Sequence, residues 1–88
     1  MADQTLSLMV RTREQVVFEG QVKSITAKNK KGAFDVLPLH GNFISLVGEK
    51  LIITKIDGSK QEMAVPDGVV RVVANKIEVY VGVRLLTG

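Results

Sequence analysis

Gly32-Ala33-Phe34-Asp35-Val36-Leu37-Pro38-Leu39-His40 sets a short alternating strand against a proline corner that carries the only histidine of the chain. The strand must end there, because Pro38 has no N–H to give to a ladder. Just upstream, Lys28-Asn29-Lys30-Lys31-Gly32 is a polar loop whose Asn and Gly tolerate left-handed backbone angles. The chain therefore reverses into residues 33–37 as a hairpin.

Period two, not 3.6, extends outward from this stretch in both directions. Leu6, Leu8 and Val10 alternate with Ser7, Met9 and Arg11, and Val16, Phe18 and Val22 read as a second one-sided apolar face. The parity then changes, since Val22 is even while Ile25 and Ala27 are odd. A bulge or sharp bend is expected between Gly20 and Ser24. After the corner, residues 43–47 resume as a strand, and residues 50–56 and 61–66 flank Asp57-Gly58 as a hairpin. Asp67-Gly68 makes another corner, and residues 69–73 and 77–81 pair across Ala74-Asn75-Lys76. Short strands divided by turn signals predict an all-β antiparallel sandwich or barrel, with no helix of useful length and no internal domain boundary across residues 1–88. Lys23, Lys50 and Lys55 are read as edge-strand charges that discourage aggregation.

With 88 residues and no cysteine, neither disulfides nor thiolate metal sites are available, so a hydrophobic core has to hold a fold that hides only roughly 60–65% of its unfolded surface. A hydrophobic fraction of 45% with 24% charged residues excludes a disordered chain. The net charge of +3 is a mild excess. The opening Met1-Ala2-Asp3-Gln4 lacks the basic start and apolar run of a secretory signal, and no segment approaches the ~18 apolar residues that cross a bilayer. A soluble cytosol-side protein without direct membrane insertion is the expectation.

The side chains carry little chemistry. His40 has no second histidine to join it, and its nearest carboxylate, Asp35, is on the neighbouring strand, so structure or contact outweighs catalysis or metal binding there. No serine sits in a Gly-x-Ser-x-Gly elbow, and Gly41 and Gly48 lack the run that cradles phosphate. No catalytic residue, metal set or cofactor is expected. Lys28, Lys30 and Lys31 form the one basic cluster, but the stacking platforms of a nucleic-acid binder are scarce, because Phe18, Phe34 and Phe43 read as core. A small-barrel nucleic-acid or general protein-interaction module is the alternative reading.

Several motifs together resemble a known family. Val17-Phe18-Glu19-Gly20 followed by Val22, Ile25 and Ala27, then Gly32-x-Phe34-x-Val36-Leu37-Pro38-x-His40, is similar to the N-terminal β-sandwich of the epsilon subunit of the F-type ATP synthase. Gly48-x-x-Leu51-x-Ile53, Ala64-Val65-x-x-Gly68 and Val72-x-x-Asn75-Lys76-Ile77-x-Val79 continue the match. The resemblance implies a small antiparallel β-sandwich of two roughly five-stranded sheets, and a non-catalytic rotor subunit of the central stalk that couples gamma to the c ring. It also implies a peripheral position on the cytoplasmic face of the inner membrane, and no nucleic-acid partner. Carried over position by position, it sets His40, Ile44 and Ser45 against gamma, and Lys30, Lys31, Gly32 and Ala33 towards the c ring. The family usually adds a C-terminal helical hairpin that brakes ATP hydrolysis, and none is expected in this chain. Relatives often place a carboxylate where Ala33 stands, and their Val-Ser-Gly-Gly corner appears here as Val65-Pro66-Asp67-Gly68.

Overall fold

Alternating apolar and polar side chains become eight strands: β1 Leu6–Arg11, β2 Val16–Asn29, β3 Gly32–Val36, β4 Phe43–Val47, β5 Lys50–Lys55, β6 Lys60–Ala64, β7 Gly68–Val73 and β8 Lys76–Val81. They are those of a computed structural model, which describes residues 4–39 and 41–82; among these there is no helix. The strand order is β4-β7-β8-β1-β2-β5-β6, with β3 also paired to β2.

The 14-residue β2 belongs to both layers. Its first half continues the run β4-β7-β8-β1, and its second half lies between β3 and β5. The expected sandwich is therefore one curled sheet, with five strands in one layer and four in the other. All pairs are antiparallel except β1 with β8, which run parallel. No hairpin restricts that pair, because most of the chain separates the two strands.

The expected bulge falls at Lys23. Val22 lies opposite Lys55 and Ser24 opposite Thr54, so Lys23 has no partner in β5. One extra residue exchanges the faces of everything after it, which is why Val22 and then Ile25 and Ala27 all point inward. A second irregularity was not legible in the sequence. Val10 opposes Phe18 but Arg11 opposes Val16, leaving Val17 as the extra residue. Val16 is accordingly 44% exposed, and does not share the inward face of Phe18. The edge-charge reading of Lys23, Lys50 and Lys55 is corrected as well: β2 lies between β1 and β5, and β5 between β2 and β6, so the charged edge is β6, with Lys60 and Glu62.

Leu6, Leu8, Ile25, Leu51, Ile53 and Ile77 are the largest fully buried side chains, joined by valines from β1, β2, β3, β7 and β8 in one cluster. Each such burial contributes about 1.5–3 kcal/mol. Phe18, Phe34 and Phe43 pack against this cluster partly buried, and the rings of Phe34 and Phe43 meet edge to face with centroids 5.9 Å apart.

Gly68 is needed for close approach, not for a left-handed turn. A Cβ there would lie 2.8 Å from Val65 Cγ1 and 2.9 Å from the Tyr80 carbonyl oxygen. Gly68→Ala should therefore cost about 1–3 kcal/mol, lowering the melting temperature by about 4–8 °C per kcal/mol. Gly20→Ala is the control, since a Cβ at Gly20 meets nothing within 4 Å. Equal melting temperatures for the two variants would contradict this role for Gly68.

Candidate functional site

Beyond β3 the chain turns through Leu37, Pro38 and Leu39. Leu39 has φ 67°, a left-handed conformation that costs a non-glycine residue about 1–2 kcal/mol. Its N–H donates to Asn75 Oδ1 at 2.7 Å. Asn75 and Ala74 form the two-residue turn between β7 and β8, with φ 63° and 48°, the angles that the strand twist favours in such hairpins. A second carboxamide ties the same two segments, because Asn42 Oδ1 accepts the Ala74 N–H at 3.0 Å. The Asn75 carbonyl oxygen accepts from Ser7 N–H at 2.9 Å, which adds the start of β1. The sequence showed Asn75 as a turn residue, and nothing local indicated that its side chain reaches Leu39.

β4 leaves this corner with two sides of different character. Phe43 and Val47 face inward, whereas Ile44 is 69% and Leu46 51% exposed. Ile44 lies opposite Arg71 and Leu46 opposite Val69, on the outer face of the five-stranded layer. The Leu46 row continues through Val69 and Tyr80 to Arg11, and the Ile44 row through Arg71 and Glu78 to Met9. Leu37 and, most of all, Leu39 at 75% exposure add apolar surface beyond β4.

Of the residues assigned to gamma, Ile44 is on this outer face. Ser45 has the opposite parity; its Oγ accepts from Asn29 Nδ2 at 3.3 Å and donates to the Leu46 carbonyl at 3.0 Å. The bond to Asn29 ties Ser45 to the base of the basic hairpin. His40 lies outside the described residues.

The residues assigned to the c ring form the β2–β3 turn. Lys30 and Lys31 are its exposed tip, Lys31 N–H donates to Asn29 Oδ1 at 2.8 Å, Gly32 takes φ 125°, and Ala33 opposes Lys28. Lys28 pairs with Glu49 at 2.9 Å, and its carbonyl accepts from Gly48 N–H. This places the hairpin beside the C-terminal end of β4, while the Asn42–Ala74 bond holds the corner at its N-terminal end. A five-residue strand, about 17 Å long, separates the two candidate contact regions.

The outer face of the four-stranded layer is polar by comparison. Asp35, Thr26, Ile52 and Glu62 form one row across it, with Thr26 Oγ1 donating to Asp35 Oδ1 at 2.6 Å and Lys50 pairing with Glu62 at 3.3 Å. Among the described residues no three carboxylate, histidine or cysteine side chains converge as a metal set. Among the described residues no helix is long and apolar enough to cross a membrane.

On the five-stranded face, the Arg71 guanidinium donates to Glu78 Oε1, and the Tyr80 hydroxyl donates to Oε2 at 3.0 Å. These two bonds, Arg71 first, hold the Glu78 carboxyl below its usual range, and the bond to Glu78 raises the Tyr80 hydroxyl. Because the folded pKa of Glu78 is the lower one, its stabilisation is complete above the unfolded value and is lost as the pH falls through the folded one. The Arg71 side chain is half exposed, so the contribution is limited to about 0.2–1 kcal/mol. Denaturant titrations of wild type and Glu78→Gln should differ by that amount near neutral pH and converge as the pH falls through the lowered Glu78 pKa. A constant difference down to low pH would show that the ionised carboxylate is not its source.

Comparison with known proteins agrees with this architecture. A sequence-family model described as the β-sandwich domain of the ATP synthase delta/epsilon chain matches residues 5–83. The ATP synthase epsilon chain of Nitratiruptor sp. is 37% identical over 73 residues, covering 82% of this chain and 57% of its own length. That of Sulfurovum sp. is 37% identical over 68 residues, with 76% and 53% covered, and the chloroplastic epsilon chain of Calycanthus floridus is 30% identical over 77 residues, with 88% and 58% covered. The chain thus spans little more than half the length of these curated relatives. In fold it is similar to a chain in the Euglena gracilis mitochondrial ATP synthase OSCP/F1/c-ring structure, with a TM-score of 0.84 at 16% identity, covering 90% of this chain and 51% of that one. A chain of the Tetrahymena thermophila mitochondrial ATP synthase central stalk/c-ring structure gives a TM-score of 0.71 at 18% identity, with 92% and 66% covered. The model match over residues 5–83 and the 37% identical relatives show that the chain belongs to the ATP synthase delta/epsilon family and carries its β-sandwich domain.

Proposed function

We propose that this chain is a non-catalytic central-stalk subunit of a proton-translocating F-type ATP synthase, joining gamma to the c ring at the cytoplasmic face of the inner membrane. The observation that carries the proposal is the exposed apolar surface of Leu39, Ile44 and Leu46 on a member of this family, in a molecule whose other outer face is polar. Four of the seven large apolar side chains exposed among the described residues, Leu37, Leu39, Ile44 and Leu46, belong to β4 and the corner before it, and such a cluster marks a contact surface. Gamma covers the Ile44 side of β4, and the c ring meets Lys30, Lys31, Gly32 and Ala33 at the far end of that strand. The chain acts by transmitting contact and contributes no bond-making group. A nucleic-acid role is disfavoured because the three phenylalanines pack on the core and Lys28 is paired with Glu49.

Ile44→Glu should weaken the complex with gamma by about 2 kcal/mol or more, as burying an unpaired charge does. The fold should survive, since Ile44 is 69% exposed. Reversing Lys30 and Lys31 to glutamate should alter c-ring docking and its salt dependence while leaving gamma affinity almost unchanged. Titration of each variant with gamma and with c ring, at low and high salt, checks both expectations. Equal damage to gamma binding from both sets of changes would reject this assignment of surfaces.

A further inference from the structure

Leu39 combines two unfavourable features. It holds a left-handed backbone that leucine rarely adopts, and it exposes 75% of its surface, so burial within its own fold does not offset the strain. What holds it is the side chain of Asn75, 36 positions along the chain, through the 2.7 Å bond to the Leu39 N–H. A second connection of Asn75 runs through its backbone, from Ser7 N–H to its carbonyl oxygen. Its carboxamide is thus separable from its role in the β7–β8 turn.

Resting on the gamma-docking reading above, we propose that Asn75 is a positioning residue for that contact: its carboxamide locks Leu39 in the left-handed conformation and presents the leucine side chain as a preformed apolar knob beside Ile44. Leu39 and Ile44 are brought to the same end of the five-stranded layer by the Leu39–Asn75 and Asn42–Ala74 bonds and by the pairing of Ile44 with Arg71, three residues before Ala74. Without the carboxamide acceptor, Leu39 relaxes to an ordinary backbone conformation, and the fraction of molecules with a docking-ready corner falls. The apparent affinity falls by the same factor. A knob fixed before binding also avoids the ordering cost that a mobile loop would meet on association.

The test uses the full chain and its gamma subunit, with affinities measured for five variants. Asn75→Gly keeps the positive φ of the turn and removes only the acceptor; it should weaken gamma binding about tenfold while the melting temperature moves little. Asn75→Asp keeps an acceptor for the Leu39 N–H and should stay within about threefold of wild type. Leu39→Gly removes both knob and strain and should weaken binding at least as much as Asn75→Gly. In that background, adding Asn75→Gly should have almost no further effect, as expected when two residues act through one contact. Hydrogen exchange of the Leu39 amide should be slow in wild type and Asn75→Asp, and fast in Asn75→Gly.

Asn75→Gly binding as tightly as wild type would overturn the proposal. So would an equal loss from Asn75→Gly with and without the Leu39 side chain, which would mark a purely structural turn residue. Failure of the docking reading looks different: gamma would then bind wild type and Ile44→Glu alike, or bind neither.

Discussion

A single extra residue, Lys23, allows one strand to serve two layers, and the rest of the molecule depends on it. Without the bulge, residues 25 and 27 would turn outward and the second half of β2 could not line the same interior as the first. With it, the 14-residue β2 turns apolar side chains inward along both halves, and a chain of 88 residues without cysteine closes a core with no helix among its described residues. The extra residue is a lysine exposed to solvent, so the irregularity puts no polar side chain in the interior.

The same economy determines which surfaces remain for contact. The four-stranded layer surrounds Ile52 on its outer face with threonine, lysine and carboxylate side chains. The five-stranded layer ends at β4, an uncharged edge strand with two exposed aliphatic side chains, and the corner before it exposes two more. Held at one end by the Asn42–Ala74 bond and bordered at the other by the basic hairpin, β4 separates a mostly apolar surface from a cationic one. The proposed contacts with gamma and with the c ring fall at opposite ends of this strand.

Legibility followed the range of the interactions involved. Strand positions, the 57–58 turn, the proline corner and the bulge after Gly20 are consequences of neighbouring residues, so period and turn chemistry revealed them. The bulge at Val17 was hidden, because a run of two valines and a phenylalanine looks the same with or without an extra residue. Edge strands were misjudged for a related reason. Whether Lys50 and Lys55 border solvent depends on where β6 docks, which no residue of β5 encodes.

For the candidate site the division is sharper. The amino-acid sequence by itself determined an all-β domain, the basic hairpin, the corner after β3 and, through its motifs, the family, because each resides in consecutive residues or their spacing. Only the tertiary structure decided that Ile44 lies outward while Ser45 reaches Asn29, that Gly68 is required by the approach of Val65 and the Tyr80 carbonyl, and that Asn75 holds Leu39. Those are contacts between segments far apart along the chain, and a hydrogen bond across 36 residues leaves no mark in the local pattern at either end.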